Sequence, residues 1–309
     1  MNVHERFKDY EKEHCWQYEI RQKNLAEDLL VSDLSRGDAD DLSLSDFDFD
    51  FVEKTDKKQC SEIKDFIKRH EWLGKMPIWA THRFTARLKK NGVLAGVVVM
   101  ATPNTFSHLL GSENKGKEKL IARGACISWS PKNTASWLIM KSIRWMVENT
   151  DFRYFTAYSD PEAKELGTIY QACNFLYLGQ KFGTGYQFLD PDKPDRGWFG
   201  STGFSDRSQI VRYAKQLDIN WKPEWYKYVG SKKNYRKVNW SAIPEDVTKL
   251  LKQARLDHKT RCQKRPSPSK HKYCYILGRD KRETKELMRL FEKNNPDKVG
   301  LPYPKNRGK

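Results

Sequence analysis

Arg123 stands in a short, mostly apolar run from Leu120 to Trp129 that reads as a strand. An unpaired charge there would cost on the order of several kcal/mol, so its guanidinium must meet a carboxylate, a phosphate or a cleft. Asp160 is the natural partner. It closes a second strand, Phe152 to Tyr158, that should lie beside the first, although the pair could equally be a structural salt bridge, and Asp160-Pro161 could simply cap the next helix. Between the strands, Ser130-Pro-Lys-Asn-Thr134 breaks the apolar run before helical spacing resumes from Ala135 to Val147. The first N–H groups of that helix lack intrahelical acceptors and attract an anion, so a cofactor pyrophosphate could dock on Lys132, Asn133 and Thr134. An ordinary N-cap by Asn133 or Thr134 is the plain alternative. His70 ends a helical stretch from Ser61 to Glu71, and with Asp160 or Glu71 it could accept a proton or hold a divalent ion. A histidine at a helix C-terminus also serves the helix dipole. No His-x-x-x-His pair or carboxylate cluster marks a strong metal site.

These residues need elements to hold them. Phe47, Phe49 and Phe51 alternate with Asp46, Asp48 and Asp50 at the period of a half-buried strand. The runs 84–88 and 93–101 flank Asn91-Gly92, a pair that suits a two-residue hairpin turn. A helix from Gly167 ends at Asn174, which tolerates the left-handed conformation of a helix C-terminus, and a strand at 176–180 and another near 186–189 follow. Alternation of this kind builds an α/β fold: a mixed β-sheet with helices on both faces.

At 309 residues, with 13% aromatic content, the chain can bury a sizeable core and is not a disordered one. No apolar run approaches the roughly 20 residues of a membrane span and the start lacks a signal-peptide layout, so the expected place is the cytoplasm, without a membrane partner. Six cysteines are scattered with no close pair, which suggests neither a disulfide framework nor a zinc site. Charge is uneven: residues 1–60 hold 9 Lys/Arg against 16 Asp/Glu, residues 61–200 hold 20 against 13, and residues 201–309 hold 28 against 11. Basic residues interleaved with Trp and Tyr in the last third suit a nucleic-acid backbone. Lys232, Lys233, Arg236, Lys237, Lys264, Arg265, Lys270 and Lys272 are the candidate contacts, placed on basic loops at 231–237 and 259–272. Trp198 and Phe199 could stack on an exposed base or anchor their loop. The acidic N-terminal segment could cover the basic surface when it is empty.

The element order and the ending Tyr170-Gln-Ala-Cys-Asn-Phe-Leu-Tyr-Leu-Gly179 resemble the GNAT acyltransferase superfamily, with Asn174 in place of a glycine and without that superfamily's glycine-rich phosphate loop. Arg123, Ser130-Pro-Lys-Asn-Thr-Ala-Ser-Trp137, Tyr158-Ser-Asp-Pro161, Gly167 to Asn174 and Tyr177-Leu-Gly179 more closely resemble the Mom family of phage DNA-modification proteins. Ile67-Lys-Arg-His70-Glu-Trp-Leu-Gly74 is similar to a His-Tyr segment of that group, though Glu71-Trp72 departs from it. The resemblance implies a GNAT-like domain over residues 44–190, preceded by an N-terminal helix and acidic segment (1–43) outside the main fold. A basic, α-rich DNA-binding extension (191–309) follows. It implies an enzyme acting in the cytoplasm of an infected bacterial host that transfers an acyl-derived group, from acetyl-CoA or another acyl donor, to the exocyclic amine of adenine in double-stranded DNA; apart from the resemblance, a homodimer is an open expectation. Carried onto this chain it makes His70, beside the cleft mouth, Arg123, Ser136, Asp160 and Tyr170 the catalytic candidates, Tyr170 as the acid that protonates a departing thiolate. Two rivals use the same scaffold: a nicking endonuclease with a divalent metal on His70 and Asp160, and a DNA-binding accessory protein without chemistry.

Overall fold

A computed structural model describes residues 14–181, 185–228 and 236–304. Its contacts divide into two compact units, and residues 269–304 return to the first of them. The boundaries therefore differ from the expected 190/191 split: the larger unit holds residues 14–181 and 269–304, the smaller one 185–228 and 236–268.

The larger unit is built on a seven-stranded mixed sheet of order β1-β2-β3-β4-β5-β12-β6. Its strands are β1 (Phe47–Phe51), β2 (Ala80–Leu88), β3 (Leu94–Ala101), β4 (Glu118–Cys126), β5 (Tyr154–Ser159), β6 (Leu176–Lys181) and β12 (Lys270–Ile276). Helices α1 (Trp16–Val31), α2 (Arg36–Asp40) and α3 (Lys57–His70) precede the sheet or interrupt its first strands. Helices α4 (Thr134–Asn149), α5 (Thr168–Ala172) and α8 (Lys281–Asn294) complete the unit. β3 shows why both faces must be covered, because all eight of its residues are buried. Alternation sends Val97 and Val99 toward Ile63, Phe66 and Ile67 of α3, and Val98 and Met100 toward Leu138, Ile143 and Met146 of α4. The α/β class expected from the sequence, a mixed sheet with helices on both faces, is the one observed.

Several local expectations are revised. The hairpin between β2 and β3 is a five-residue connection, 89–93, with the Leu88 carbonyl accepting from the Gly92 amide at 2.7 Å. Gly92 alone has positive φ there, and Asn91 does not. The N-terminal helix is part of the fold: Trp16 and Ile20 are buried, and the fully buried Asp28 accepts from Arg69 at 2.8 Å and from the Ser128 amide at 3.1 Å. That acidic residue is structural, not a mobile cover; residues 1–13 lie outside the described residues. The strand at 186–189 leaves the main sheet, whose edge is β6.

In the smaller unit, β7 (Tyr186–Leu189) is the centre of a three-stranded sheet, between β8 (Phe199–Gly200) and β11 (Gln263–Pro266). A two-stranded pair, β9 (Tyr226–Tyr228) and β10 (Arg236–Val238), and helices α6 (Arg207–Gln216) and α7 (Glu245–Arg261) accompany it. Ile210, Tyr213, Trp225, Ile243 and Leu251 form its main core. The stretch 259–272, expected as a basic loop, is the end of α7, strand β11 and the start of β12.

Candidate active site

The site arises where two strands part. β4 and β5 pair in parallel only from Glu118↔Tyr154 to Leu120↔Thr156. Beyond that point β4 remains bonded to β3 while β5 remains bonded to β12. The register of β4 against β3 slips between Val99↔Arg123 and Met100↔Ile121, which leaves Ala122 as an extra residue and bends the strand. The divergence opens a cleft of about 910 Å3 lined by both strands, by the loop after α3 and by the segment between β5 and α5. Among the described residues the edge of β4 from Ile121 to Cys126 that faces the cleft has no strand partner, although the Ala122 carbonyl is taken by the Arg123 guanidinium.

The expected Arg123–Asp160 pair is not made, because each sits on one of the diverging strands. Arg123 donates from Nε to the Lys75 carbonyl at 2.7 Å and lies 3.9 Å from Glu71 Oε1, which ties the loop after α3 to β4. Glu71 in turn accepts the Gly74 amide at 2.8 Å. Asp160 is bonded to Lys270 Nζ at 3.1 Å and accepts the Glu162 amide at 3.0 Å as the cap of a short 3-10 turn. All three side chains still line the same cleft.

Glu165, which carried no signal in the sequence, is the most perturbed carboxylate of this wall. Burial, then the negative charges of Glu71 and Asp160, push it up to about 7, against donation from the Trp72 indole and the Asp160 amide. Near pH 7 it is therefore part base and part acid. Tyr170 lies in the same wall, and burial followed by the charges of Glu165 and Glu71 pushes its phenol well above its usual value, so it keeps its proton. Gly167 holds the turn between them with φ of +72°, and a Cβ there would lie 2.4 Å from the ring of buried Tyr273.

His70 stands outside this cleft. It is buried against Phe66, with ring centroids 4.3 Å apart, and its Nδ1 is 3.6 Å from Asp28 Oδ2. Burial pushes the imidazole well below its ordinary value, toward the neutral form. His70 and Asp160 thus fall in different surroundings, and the two-residue metal site of the endonuclease reading is not assembled. Ser136 donates to the Asn133 carbonyl at 3.0 Å and does not line the cleft.

The 130–136 segment departs from an ordinary N-cap. Asn133 adopts φ of +67° as the cap residue, yet no side chain caps α4; Thr134 Oγ1 donates instead to the Pro131 carbonyl at 2.8 Å. Lys132 is exposed, and Ala135 of the first turn lines the cleft. Arg21 of α1 reaches the Ser128 and Ser130 carbonyls at 3.0 and 3.2 Å and also lines the cleft. An uncapped helix start with Arg21 nearby is an anion-attracting corner. Nothing in the sequence linked Arg21 to it, since the link is tertiary.

The basic candidates scatter. Lys232 and Lys233 lie outside the described residues, and of Arg236 only the strand backbone is described. Lys237 is exposed on β10. On β11, Lys264 lies 3.7 Å over the Tyr186 ring and Arg265 4.3 Å over Trp198, whereas Phe199 packs against Phe204 as an anchor. Lys270 is in the cleft, bonded to Asp160. Lys272 is buried in β12, between β5 and the edge strand β6, over Tyr158, and is not a surface contact.

A mixed sheet that opens between its parallel strands, with an uncapped helix start and an acidic wall around the opening, defines an α/β protein with its cleft between β4 and β5. Residues 52–195 match the model of the Mom protein family, so this chain is Mom-like over most of the cleft-bearing sequence. No curated protein matches it. Solved structures with a similar course include the ribosomal-protein-S5-alanine acetyltransferase of Vibrio fischeri, 12% identical, covering 46% of this chain and 86% of that one with a TM-score of 0.34. A ribosomal L7/L12 α-N-protein acetyltransferase is 9% identical, covering 76% and 96% with a TM-score of 0.34. A Bacillus subtilis acetyltransferase in complex with CoA is 10% identical, covering 75% and 99% with a TM-score of 0.32.

Proposed function

We propose that this protein transfers an acyl-derived group from a thioester donor such as acetyl-CoA to the exocyclic amine of adenine in DNA. The observation that carries the reading is the pairing, within one cleft, of a carboxylate poised near pH 7 with a phenol that retains its proton. The unpaired edge of β4 suits the amides of a pantetheine arm, and the α4 start with Arg21 and Lys132 suits its diphosphate. Glu165 accepts the proton lost as the amine nitrogen bonds to the donor carbonyl carbon, and Tyr170 supplies a proton to sulfur as the carbon–sulfur bond breaks. Arg123 and Asp160 act as positioning residues, the first holding the loop after α3 and the second holding Lys270 and raising Glu165.

Adenine must leave the base stack to reach such a cleft. Ile78, 90% exposed, and the half-exposed Trp79 lie on its rim, where an extruded base could stack. The cation–aromatic pairs on β11 suit a phosphate backbone, and double-stranded DNA is the partner they favour.

The test is calorimetric titration of the full-length protein with acetyl-CoA. Binding should weaken by about tenfold or more, roughly 1.4 kcal/mol, in Arg21→Ala and be unaffected in Lys237→Ala. Absence of binding, or equal binding by both variants, would remove the acyl-donor reading.

A further inference from the structure

We infer that Asp190, His258 and Cys262 of the smaller unit form a buried site for a zinc-class divalent ion, independent of the cleft. Cys262 caps α7 four residues after His258, so both side chains lie on one face of its last turn, and Asp190 directly follows β7. Their ligand atoms all lie within 4.8 Å of one another, the one such His/Cys/Asp/Glu cluster among the described residues. His258 Nε2 is 3.1 Å from Asp190 Oδ2. Zinc bonds of about 2.0–2.3 Å place tetrahedral ligands roughly 3.3–3.8 Å apart, so little movement is needed to seat an ion.

The outer contacts aim the set. His258 Nδ1 is 2.8 Å from the Tyr213 hydroxyl, which leaves Nε2 for the ion when Nδ1 carries the hydrogen. Asp190 Oδ1 accepts the Asp192 amide at 3.0 Å, leaving Oδ2 turned toward His258 and Cys262. The three residues are only 2%, 5% and 7% exposed, so their charges must balance locally. A divalent ion with one carboxylate, one thiolate and a neutral imidazole sums to zero, releases the Cys262 proton to solvent and leaves a fourth position for water. Such an ion would join β7, α6 and α7 of a unit whose core is small.

The alternative is a hydrogen-bond chain from Asp190 through His258 to Tyr213, in which Cys262 has no part. Full-length protein purified without chelator should carry stoichiometric zinc by elemental analysis. Its cobalt form should show a thiolate-to-cobalt charge-transfer band that Cys262→Ser abolishes. Zinc affinity should fall about 100-fold or more in Cys262→Ser and about tenfold in Tyr213→Phe. A chelator should lower the melting temperature of the wild type and zinc should restore it, a readout that requires no variant to fold. Absence of bound metal with a melting temperature indifferent to chelator and zinc, or a cobalt band retained in Cys262→Ser, would overturn the site and leave the hydrogen-bond chain.

Discussion

Replacing Glu165 with Gln separates what this residue costs the fold from what it does in the cleft. Burial, Glu71 and Asp160 raise its carboxyl from the usual 4.5 to about 7. At about 1.36 kcal/mol per pH unit, that displacement is worth up to about 3 kcal/mol in favour of the protonated form. The folded chain binds this proton more tightly than the unfolded chain does. The cost is therefore absent below pH 4.5, where both states are protonated, grows as pH rises, and is complete above about 7. Gln stays neutral throughout and keeps an oxygen to accept the Trp72 indole N–H. Urea unfolding of both proteins across this window should show equal stability at its acidic end and a variant more stable by up to about 3 kcal/mol around pH 8. Transfer activity on the same preparations should be lost. A stability difference that does not change with pH, or a variant that keeps its activity, would refute the assignment of Glu165 as a strained base.

Three further outcomes follow from the same contacts. Trp72→Phe removes a donor that lowers Glu165, so the acid limb of the pH–activity profile should move to higher pH; a move to lower pH would contradict the contact. Gly167→Ala, at φ of +72° with its Cβ 2.4 Å from the Tyr273 ring, should lose roughly 2–4 kcal/mol of stability by denaturant unfolding. Asp28→Ala leaves the Ser128 amide without its buried acceptor and Arg69 with Glu27 alone, and should cost roughly 1–3 kcal/mol, measured the same way.

The fold was largely legible because its signals are local. The continuous apolar run of β3 demands two covered faces, and the Phe–Asp alternation of β1 yields the expected half-buried edge. Asn174 takes φ of +57° after α5, as a helix-ending residue should. What stayed hidden depends on contacts far apart in the chain. Insertion of β12 between β5 and β6 brings Lys270 to Asp160 across 110 positions, and no periodicity encodes that. Arg123 and Asp160 were legible as charges needing partners, but the divergence of β4 and β5 decided that they would not be each other's. His70 matched a motif yet turned inward, because the buried Asp28 of α1 lies beside it. Glu165 drew no notice because its perturbation comes from Glu71 and burial, both products of folding.

The central claim is best tested by mass spectrometry of nucleosides from the DNA of bacteria expressing the intact protein or Glu165→Gln, with plasmid topology followed on the same samples. The account predicts an added adenosine-derived species with the intact protein, its absence with the variant, and intact plasmid in both. Unmodified nucleosides in DNA from cells making folded, acetyl-CoA-binding protein would contradict it, and relaxed or linear plasmid would point instead to strand cleavage.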